Sequence, residues 1–177
     1  MTEIIIIGDP RDRTLESLIV NVLAKTYRVV YIKENRISDT GTGYELVCFD
    51  CRSPVLDGIG APVIVAKRSA VLPTELPENS TVIINADDRS QIDAVRRSGA
   101  FAVECGFSPT STVSFSSESD DKLVISLNRS ITALSGRQIQ PLEIPVCKHG
   151  ADDYTLMSFT ALRLLLDDYE SELGYLI

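Results

Sequence analysis

Four consecutive isoleucines at residues 4–7 constrain the fold of this chain more than any other feature. A strand with bulky apolar side chains on both faces must be covered on both faces, which is the environment of a strand inside a parallel sheet. The run ends at Gly8, and apolar residues then recur at helical spacing over residues 14–25, with Thr14 as the expected N-cap. The chain therefore begins with the strand, loop and helix of an α/β fold.

Apolar runs of the same kind continue as far as Gly106. They predict further strands at residues 28–32, 46–50, 61–66, 81–84 and 100–104, and a helix at residues 90–98. Residues 38–43 are polar and contain two glycines, which is typical of a loop. This order of strands and helices predicts a mostly parallel sheet with flanking helices.

The character of the sequence changes after Gly106. Alternating β-rich runs at residues 112–117 and 123–127 flank residues 119–121, and a second pair at residues 130–134 and 138–144 flanks Ser135-Gly136. Both patterns are typical of hairpins, and apolar residues at helical spacing follow over residues 152–172. We therefore expect one domain over residues 1–177, with a βα core (1–106), an antiparallel β extension (107–150) and a C-terminal helix (151–177).

The charge balance limits the classes of partner. The 177 residues include 25 acidic and 17 basic side chains, and the net charge of −8 disfavours nucleic acid and anionic membranes. No apolar run approaches the ~18 residues of a membrane-spanning helix, and no basic leader opens the chain. A cytoplasmic location is therefore the expectation, and in a reducing cytosol the four cysteines are expected to be free thiols.

Polar side chains follow the apolar strand at residues 81–84. Asn85, Asp87 and Asp88 stand at its carboxyl end, which is where open α/β sheets bind their ligands. These residues have two interpretations. Asn85 can offer its amide to a small ligand while the aspartates shape the loop, or all three can cap the helix that begins near Ser90.

The order of five segments resembles that of the central, ATP-binding domain of the Mur ligases and folylpolyglutamate synthetases. The segments are Ile5-Ile6-Ile7-Gly8, Val47-Cys48-Phe49-Asp50, Asn85-Ala86-Asp87-Asp88, Phe101-Ala102-Val103 and Ile144-Pro145-Val146. The resemblance implies a P-loop-NTPase-like fold, ATP and Mg²⁺ as cofactors, and a reaction in which ATP phosphorylates a carboxylate that an amino group then attacks. It also implies that Gly8 opens the phosphate loop, that Asp50 replaces a metal-binding glutamate, and that Asn85 contacts adenine.

The phosphate loop departs from the family pattern. The family loop resembles Gly-Thr-Asn-Gly-Lys-Thr, whereas this chain has Gly8-Asp9-Pro10-Arg11-Asp12-Arg13-Thr14. Pro10 has no N–H to offer to a phosphate, and two aspartates place negative charge where the phosphate would lie. We therefore expect a loop that begins a helix without binding triphosphate. The alternative is a remodelled loop in which Arg11 or Arg13 contacts phosphate and Thr14 offers the hydroxyl for Mg²⁺.

The metal-binding part of the resemblance is also incomplete. Asp50, or Asp57, is the tentative replacement for the metal-binding glutamate, and residues 66–70 lack the histidine that the family carries after this strand. The only histidine, His149, is expected to cap or pack before the last helix. Cys48 and Cys51 form a Cys-x-x-Cys, which is interpreted either as part of a four-cysteine zinc site with Cys105 and Cys147 or as buried apolar thiols.

These observations lead to three hypotheses. The first is a degenerate, catalytically inactive Mur-ligase-like central domain that binds a protein or small-molecule partner in the cytoplasm, beside cell-wall or polyglutamate enzymes by resemblance alone. The second is a nucleotide-binding protein that uses Asn85 and the remodelled loop. The third is a component of an amide ligase whose substrate and closing domains are supplied by separate chains.

Overall fold

The computed structural model describes residues 1–118, 122–148 and 150–169. The chain folds as two compact units, Met1–Ala102 and Val103–Ile177. Their boundary lies four residues before the change of sequence character at Gly106, within one strand.

Unit 1 is a layer of strands with two helices. Its elements are β1 (Thr2–Ile7), α1 (Thr14–Val22), β2 (Tyr27–Lys33), β3 (Arg36–Thr40), β4 (Tyr44–Cys51), β5 (Val63–Ala66), β6 (Thr81–Asn85) and α2 (Arg89–Ser98). The strand order is β6-β5-β1-β4-β2-β3, and every neighbouring pair is parallel except the β2–β3 hairpin. The predicted α/β fold with a mostly parallel sheet is confirmed.

The isoleucine run explains the position of β1. Residues 4–7 of this strand are all buried, because β4 and β5 flank it and side chains from both faces enter a core. On one face Ile5 and Ile7 share a cluster with Val82 and Ile84 of β6 and with Val95 of α2. A strand in this position places the loop that follows it at the middle of the carboxyl edge of the sheet.

Unit 2 contains the predicted antiparallel extension. Its elements are β7 (Phe101–Gly106), which begins in unit 1, β8 (Val113–Glu118), β9 (Lys122–Leu127), β10 (Ile131–Thr132), β11 (Gln138–Ile139), β12 (Leu142–Cys147) and α3 (Asp153–Leu165). The order is β12-β9-β8-β7, with β8–β9 and β9–β12 antiparallel, and β10 and β11 form a separate hairpin. Asp152 caps α3, since its carboxylate accepts from the backbone N–H of Thr155 at 3.3 Å.

Four sequence predictions need correction. Residues 36–40 form the edge strand β3, so the predicted loop at 38–43 is wrong over its first half. The N-cap of α1 is Arg13 instead of Thr14, and the predicted strand at 138–144 is divided into β11 and β12. The last helix ends at Leu165. Residues 119–121, 170–172 and His149 lie outside the described residues.

Candidate functional site

The carboxyl ends of β1, β4 and β5 bring a glycine and two charged side chains together. Gly8 follows β1, Asp50 lies in register with Ile6 near the end of β4, and Lys67 is the first residue after β5. Both charged side chains are buried, since that of Asp50 is 0% exposed and that of Lys67 is 6% exposed. A buried charge needs an opposite charge and a complete set of hydrogen bonds, so the partners of this pair define the site.

The Lys67 ammonium lies inside the loop that follows β1. Its Nζ donates to both carboxylate oxygens of Asp50, at 3.0 and 3.1 Å. It also donates to the backbone carbonyl oxygens of Asp9 at 2.9 Å and Asp12 at 2.8 Å. The loop therefore turns carbonyl oxygens inward, onto a cation that the chain itself supplies.

Asp50 has two further partners. The Tyr31 hydroxyl donates to Asp50 Oδ2 at 2.9 Å, and Lys33 Nζ lies 3.7 Å from the same oxygen. Burial, reinforced by the neighbouring Asp50, raises the pKa of Tyr31 well above its usual range, so this phenol stays protonated and donates. The carboxylate is thus surrounded by two ammonium groups and a hydroxyl.

The backbone N–H groups of the loop are also engaged within the protein. Four of them have protein acceptors: Gly8 N–H donates to Cys51 O at 3.0 Å, Asp12 N–H to Asp9 O at 3.1 Å, Arg11 N–H to Asp9 Oδ1 at 3.0 Å and Thr14 N–H to Asp12 Oδ1 at 3.0 Å. Pro10 has no N–H. A phosphate loop works by converging N–H groups on an anion. Here the carboxylates of Asp9 and Asp12 accept from two of these four groups, and backbone carbonyls accept from the other two.

The two loop arginines pair with carboxylates of the same segment. Arg11 lies 2.8 Å from Asp9 Oδ2, and its hydrogen bonds hold the pKa of the Asp9 carboxyl well below its usual range. Arg13 and Lys33 contact Glu16 at 3.1 and 2.8 Å. Burial opposes ionisation of Glu16, but these hydrogen bonds outweigh it and lower its pKa.

Gly8 fits the loop for a steric reason. Its φ of +148° lies in a region that side-chain-bearing residues rarely adopt, and a Cβ built there would lie 2.6 Å from Cβ of Lys67. The glycine thus allows the Lys67 side chain to pass against the backbone of the loop.

Asn85, Asp87 and Asp88 lie at the end of β6. The side chains of Asn85 and Asp88 form hydrogen bonds with nearby backbone groups. Asn85 Oδ1 accepts from the Asp87 N–H at 3.0 Å, and Asn85 Nδ2 donates to Arg68 O at 3.2 Å. Asp88 caps α2, because its carboxylate accepts from the Ser90 N–H at 2.9 Å. Asp88 is therefore a helix cap, whereas the Asn85 side chain bonds to backbone groups before the helix, and ligand contact stays a prediction.

A buried glutamine connects this end of β6 with the segment after β5. Gln91 of α2 is fully buried, and its Oε1 accepts from the Asn85 backbone N–H at 2.9 Å. Its Nε2 donates to the carbonyl oxygens of Lys67 and Ala70, both at 3.1 Å. Gln91 therefore fixes the backbone from which the Lys67 side chain extends into the loop.

The structure brings together part of the predicted site. Gly8 and Asp50 meet at Lys67, and Arg11, Arg13 and Thr14 belong to the same loop. The Asn85 segment is joined to this site through residues 67–70. Sequence reasoning missed Lys67, Tyr31 and Gln91. The sequence did contain a signal for Lys67. Lys67 directly follows one apolar strand and Asp50 lies at the end of another, and the ends of parallel strands meet at one edge of the sheet.

The cysteines do not form a cluster in the described part of the chain. Cys48 and Cys51 are three residues apart on β4, so their side chains point to opposite faces. Burial raises the pKa of Cys48 to about 12 and also raises that of Cys105. Among residues 1–118, 122–148 and 150–169, no group of three or more histidine, cysteine or acidic side chains is placed to hold a metal ion.

The residues of the loop do not fit ATP and Mg²⁺. The oxygens that face its interior are those of Asp9, Asp12 and Asp50, and all three already contact the Lys67 ammonium. Thr14 Oγ1 donates to Asp12 Oδ1 at 2.8 Å, so the hydroxyl expected at Mg²⁺ caps its own loop. A triphosphate would meet carbonyl and carboxylate oxygens where it needs donors.

Comparison with solved structures shows a Mur-ligase-like fold. No family model and no curated protein matches the chain. Its fold resembles that of a murein peptide ligase, Mpl, from Psychrobacter arcticus 273-4, with a TM-score of 0.59 and 10% identity over 96% of this chain and 45% of that one. It also resembles E. coli FolC in complex with DHPP and ADP, with a TM-score of 0.56 and 11% identity over 98% and 55% of the two chains. The chain therefore spans about half the length of either protein.

Proposed function

We propose that this chain is a non-catalytic domain of Mur-ligase-like fold that serves as a binding module for a protein partner. The observation that carries the proposal is the position of the Lys67 ammonium, 2.9 and 2.8 Å from two carbonyl oxygens of the loop and 3.0 Å from Asp50. The loop that would have to hold a nucleotide is closed on a side chain of its own fold.

Charge supports this proposal. Asp9 and Asp12 bring two carboxylates into the loop, and each accepts a backbone N–H of the loop itself. A triphosphate bound in the loop would bring its negative charges close to these two carboxylates inside a partly buried site. The repulsion there exceeds the ~1 kcal/mol expected for two unit charges 4 Å apart in bulk water. Opening the loop would also take the carbonyl oxygens of Asp9 and Asp12 away from the buried Lys67 ammonium, and a hydrogen bond to a charged group contributes about 1.5–3 kcal/mol.

The chemistry of ligation points in the same direction. Amide formation through an acyl phosphate needs a cation free to contact the transferred phosphoryl group and donors for the developing charge. Lys67 is directed to Asp50, Arg11 to Asp9, and Arg13 to Glu16. Each basic side chain near the loop is therefore occupied by a neighbouring carboxylate.

The cellular setting belongs to the proposal. None of the described helices is long and apolar enough to cross a membrane. We place the protein in the cytoplasm because of its composition, and beside cell-wall or polyglutamate enzymes because of its likeness in fold to the two ligases. Its net charge of −8 favours a partner with a basic surface.

Isothermal titration calorimetry tests the proposal. ATP, ADP and AMP are titrated with Mg²⁺ to about 1 mM, a concentration at which a site with a binding free energy near −4 kcal/mol is half filled. We expect no saturable heat, with E. coli FolC and ADP as the positive control. Saturable binding that Asn85→Ala or Arg13→Ala weakens would refute the proposal in favour of a nucleotide-binding protein.

A further inference from the structure

The layer of helices on one face of unit 1 is incomplete. On that face α2 covers β6, since Ala94 and Val95 share a cluster with Val82 and Ile84. The connection between β4 and β5, residues 52–62, contains no helix. On this face β1 is buried beneath loop residues such as Leu56 and Leu72. Parallel strands are normally covered on both faces by helices, so this side of β4 and β2 lacks the usual covering element.

An apolar groove of about 370 Å³ lies on the uncovered face. Its apolar lining includes Ile5, Ile32, Phe49, Cys51, Val55 and Leu56. Ile5, Phe49 and Ile32 are register partners on three adjacent strands, and Ile37 on β3 extends the same row by one strand. Ile5 is buried at one end of this row, whereas Phe49 is 39% exposed and Ile37 72%. Val55, in the connection beside the row, is 88% exposed, so the groove is open to a partner at Phe49, Ile37 and Val55.

Two carboxylates without partners flank the groove. Glu3 and Glu34 both line it, and neither carboxylate makes an ion pair or hydrogen bond with any residue that the structure describes. Most carboxylates nearby are paired with basic side chains, namely those of Asp9, Glu16, Asp39, Glu45 and Asp50. From the strand register, Glu3 and Glu34 lie about 13 Å apart along the strand direction, at opposite ends of the groove.

The dimensions and chemistry of the groove suit a helix. The row from Ile5 to Ile37 crosses four strands, a distance of about 14 Å, which three helical turns cover. The backbone groups of β1, β4 and β2 are already paired with neighbouring strands, so this face offers side chains alone. An occupant must therefore supply an apolar stripe, with basic residues where it meets Glu3 and Glu34.

We propose that this groove binds a basic amphipathic helix of a protein partner, in the position beside α2 that the chain leaves without a helix. The inference rests on the proposed function as a binding module and names its partner by chemistry. A second copy of the chain suits the groove less well, because symmetric pairing of this face would bring the carboxylates of Glu3 and Glu34 close to one another.

Fluorescence anisotropy with synthetic peptides tests the assignment on the full chain. The probe is a labelled peptide of about 18 residues with leucines at i, i+3, i+4 and i+7 and lysines elsewhere. One control peptide has the same composition in scrambled order, and another carries glutamate in place of lysine. We expect the amphipathic basic peptide to bind at least about tenfold more tightly than either control, a difference of about 1.4 kcal/mol.

Matched variants locate the binding. Phe49→Ser in the groove should weaken binding about tenfold, whereas Phe101→Ser, an exposed phenylalanine outside the groove, should leave it unchanged. Val55→Lys is the second groove variant, because its wild-type side chain is 88% exposed and the substitution leaves the core intact. Replacing both Glu3 and Glu34 with glutamine should remove the preference for the basic peptide, and Glu78→Gln should not.

Three results would overturn the assignment. The first is equal binding of the scrambled and amphipathic basic peptides, which indicates attraction by net charge alone. The second is unchanged affinity in both Phe49→Ser and Val55→Lys. The third is a dimer in sedimentation velocity that Phe49→Ser dissociates, which would assign the groove to a second copy. If the peptides fail to bind and nucleotides also fail to bind, the proposal that the loop is closed would stand. Only the proposal of a basic helical partner would be refuted.

Discussion

Replacement of Lys67 by methionine removes an ammonium that is 6% exposed and leaves the chain length of the side chain almost unchanged. The Asp50 carboxylate then loses its closest cation, and two loop carbonyls lose their donor. Removing one partner of a buried ion pair costs about 3–5 kcal/mol. Because Tyr31 and Lys33 still contact Asp50, we expect the lower end, about 3 kcal/mol of unfolding free energy.

Urea denaturation measures this loss, and a double-mutant cycle assigns it to the pair. Lys67→Met and Asp50→Asn should each destabilise the fold, and the double variant should be more stable than the sum of the two predicts, with a coupling near 2 kcal/mol. The control cycle uses Arg11→Met and Asp9→Asn, an exposed pair whose coupling should be much smaller. A loss below about 1 kcal/mol for Lys67→Met, or additive effects of the two buried variants, would refute the reasoning.

Three further predictions concern the loop and the groove. Gly8→Ala should cost about 3 kcal/mol, because it combines a φ of +148° with a Cβ contact at 2.6 Å, whereas Gly58→Ala, with φ +68° and open space, should cost about 1 kcal/mol in the same denaturation assay. The folded-state pKa of Glu16 lies below the ordinary glutamate value of 4.5, so its stabilising effect is present above that value and is lost as pH falls. Glu16→Gln should therefore flatten the pH dependence of the unfolding free energy between about pH 5 and 3. Glu34→Asn should raise the unfolding free energy by about 0.5 kcal/mol, because Glu34 has φ +45°, yet should weaken peptide binding; a stabilised variant with full affinity would contradict the groove assignment.

The sheet could be predicted from the sequence because its buried strands consist mostly of apolar, β-branched residues. The isoleucines of β1 admit only a strand covered on both faces, and all strands of the parallel core were found within a few residues. β3 was missed because it is an exposed edge strand, polar apart from Ile37, so neither periodicity nor apolar content distinguishes it from a loop. β3 pairs with β2 in a hairpin, and Arg36 and Lys33 are the register pair next to the turn.

The site was predictable only where local chemistry decided it. The sequence of the loop, with Pro10 between two aspartates, leads us to expect a loop that does not bind phosphate, and that expectation stays a prediction. The cation that fills the loop was not found, because Lys67 reaches it from β5, 55 residues away from Asp12 in sequence. Its pairing with Asp50 follows from the strand order β5-β1-β4, which the local sequence does not specify.

For Asn85, Asp87 and Asp88 too, the local sequence indicates where the residues lie but not which groups they contact. Asn85 ends β6, and of the three residues expected to contact a ligand or cap the helix, Asp88 is the N-cap of α2. Contact of these residues with a ligand stays a prediction. The choice between ligand contact and capping depends on Gln91 and on the carbonyl of Arg68, which approach from other elements. A sequence pattern places polar residues at the edge of a sheet, but long-range hydrogen bonds decide what those residues contact.

The most direct test of the closed loop is the NMR signal of the Lys67 ammonium itself. In protein labelled with ¹⁵N-lysine, a buried ammonium that donates to Asp50, Asp9 and Asp12 should exchange its protons slowly and give a resolved ¹H–¹⁵N correlation, absent in Lys67→Met. We expect this signal to be present and unchanged on addition of MgATP to about 5 mM, well above the Kd of a weak nucleotide site. A Lys67 ammonium in rapid exchange with water, or one whose signal shifts saturably with MgATP, would contradict this expectation.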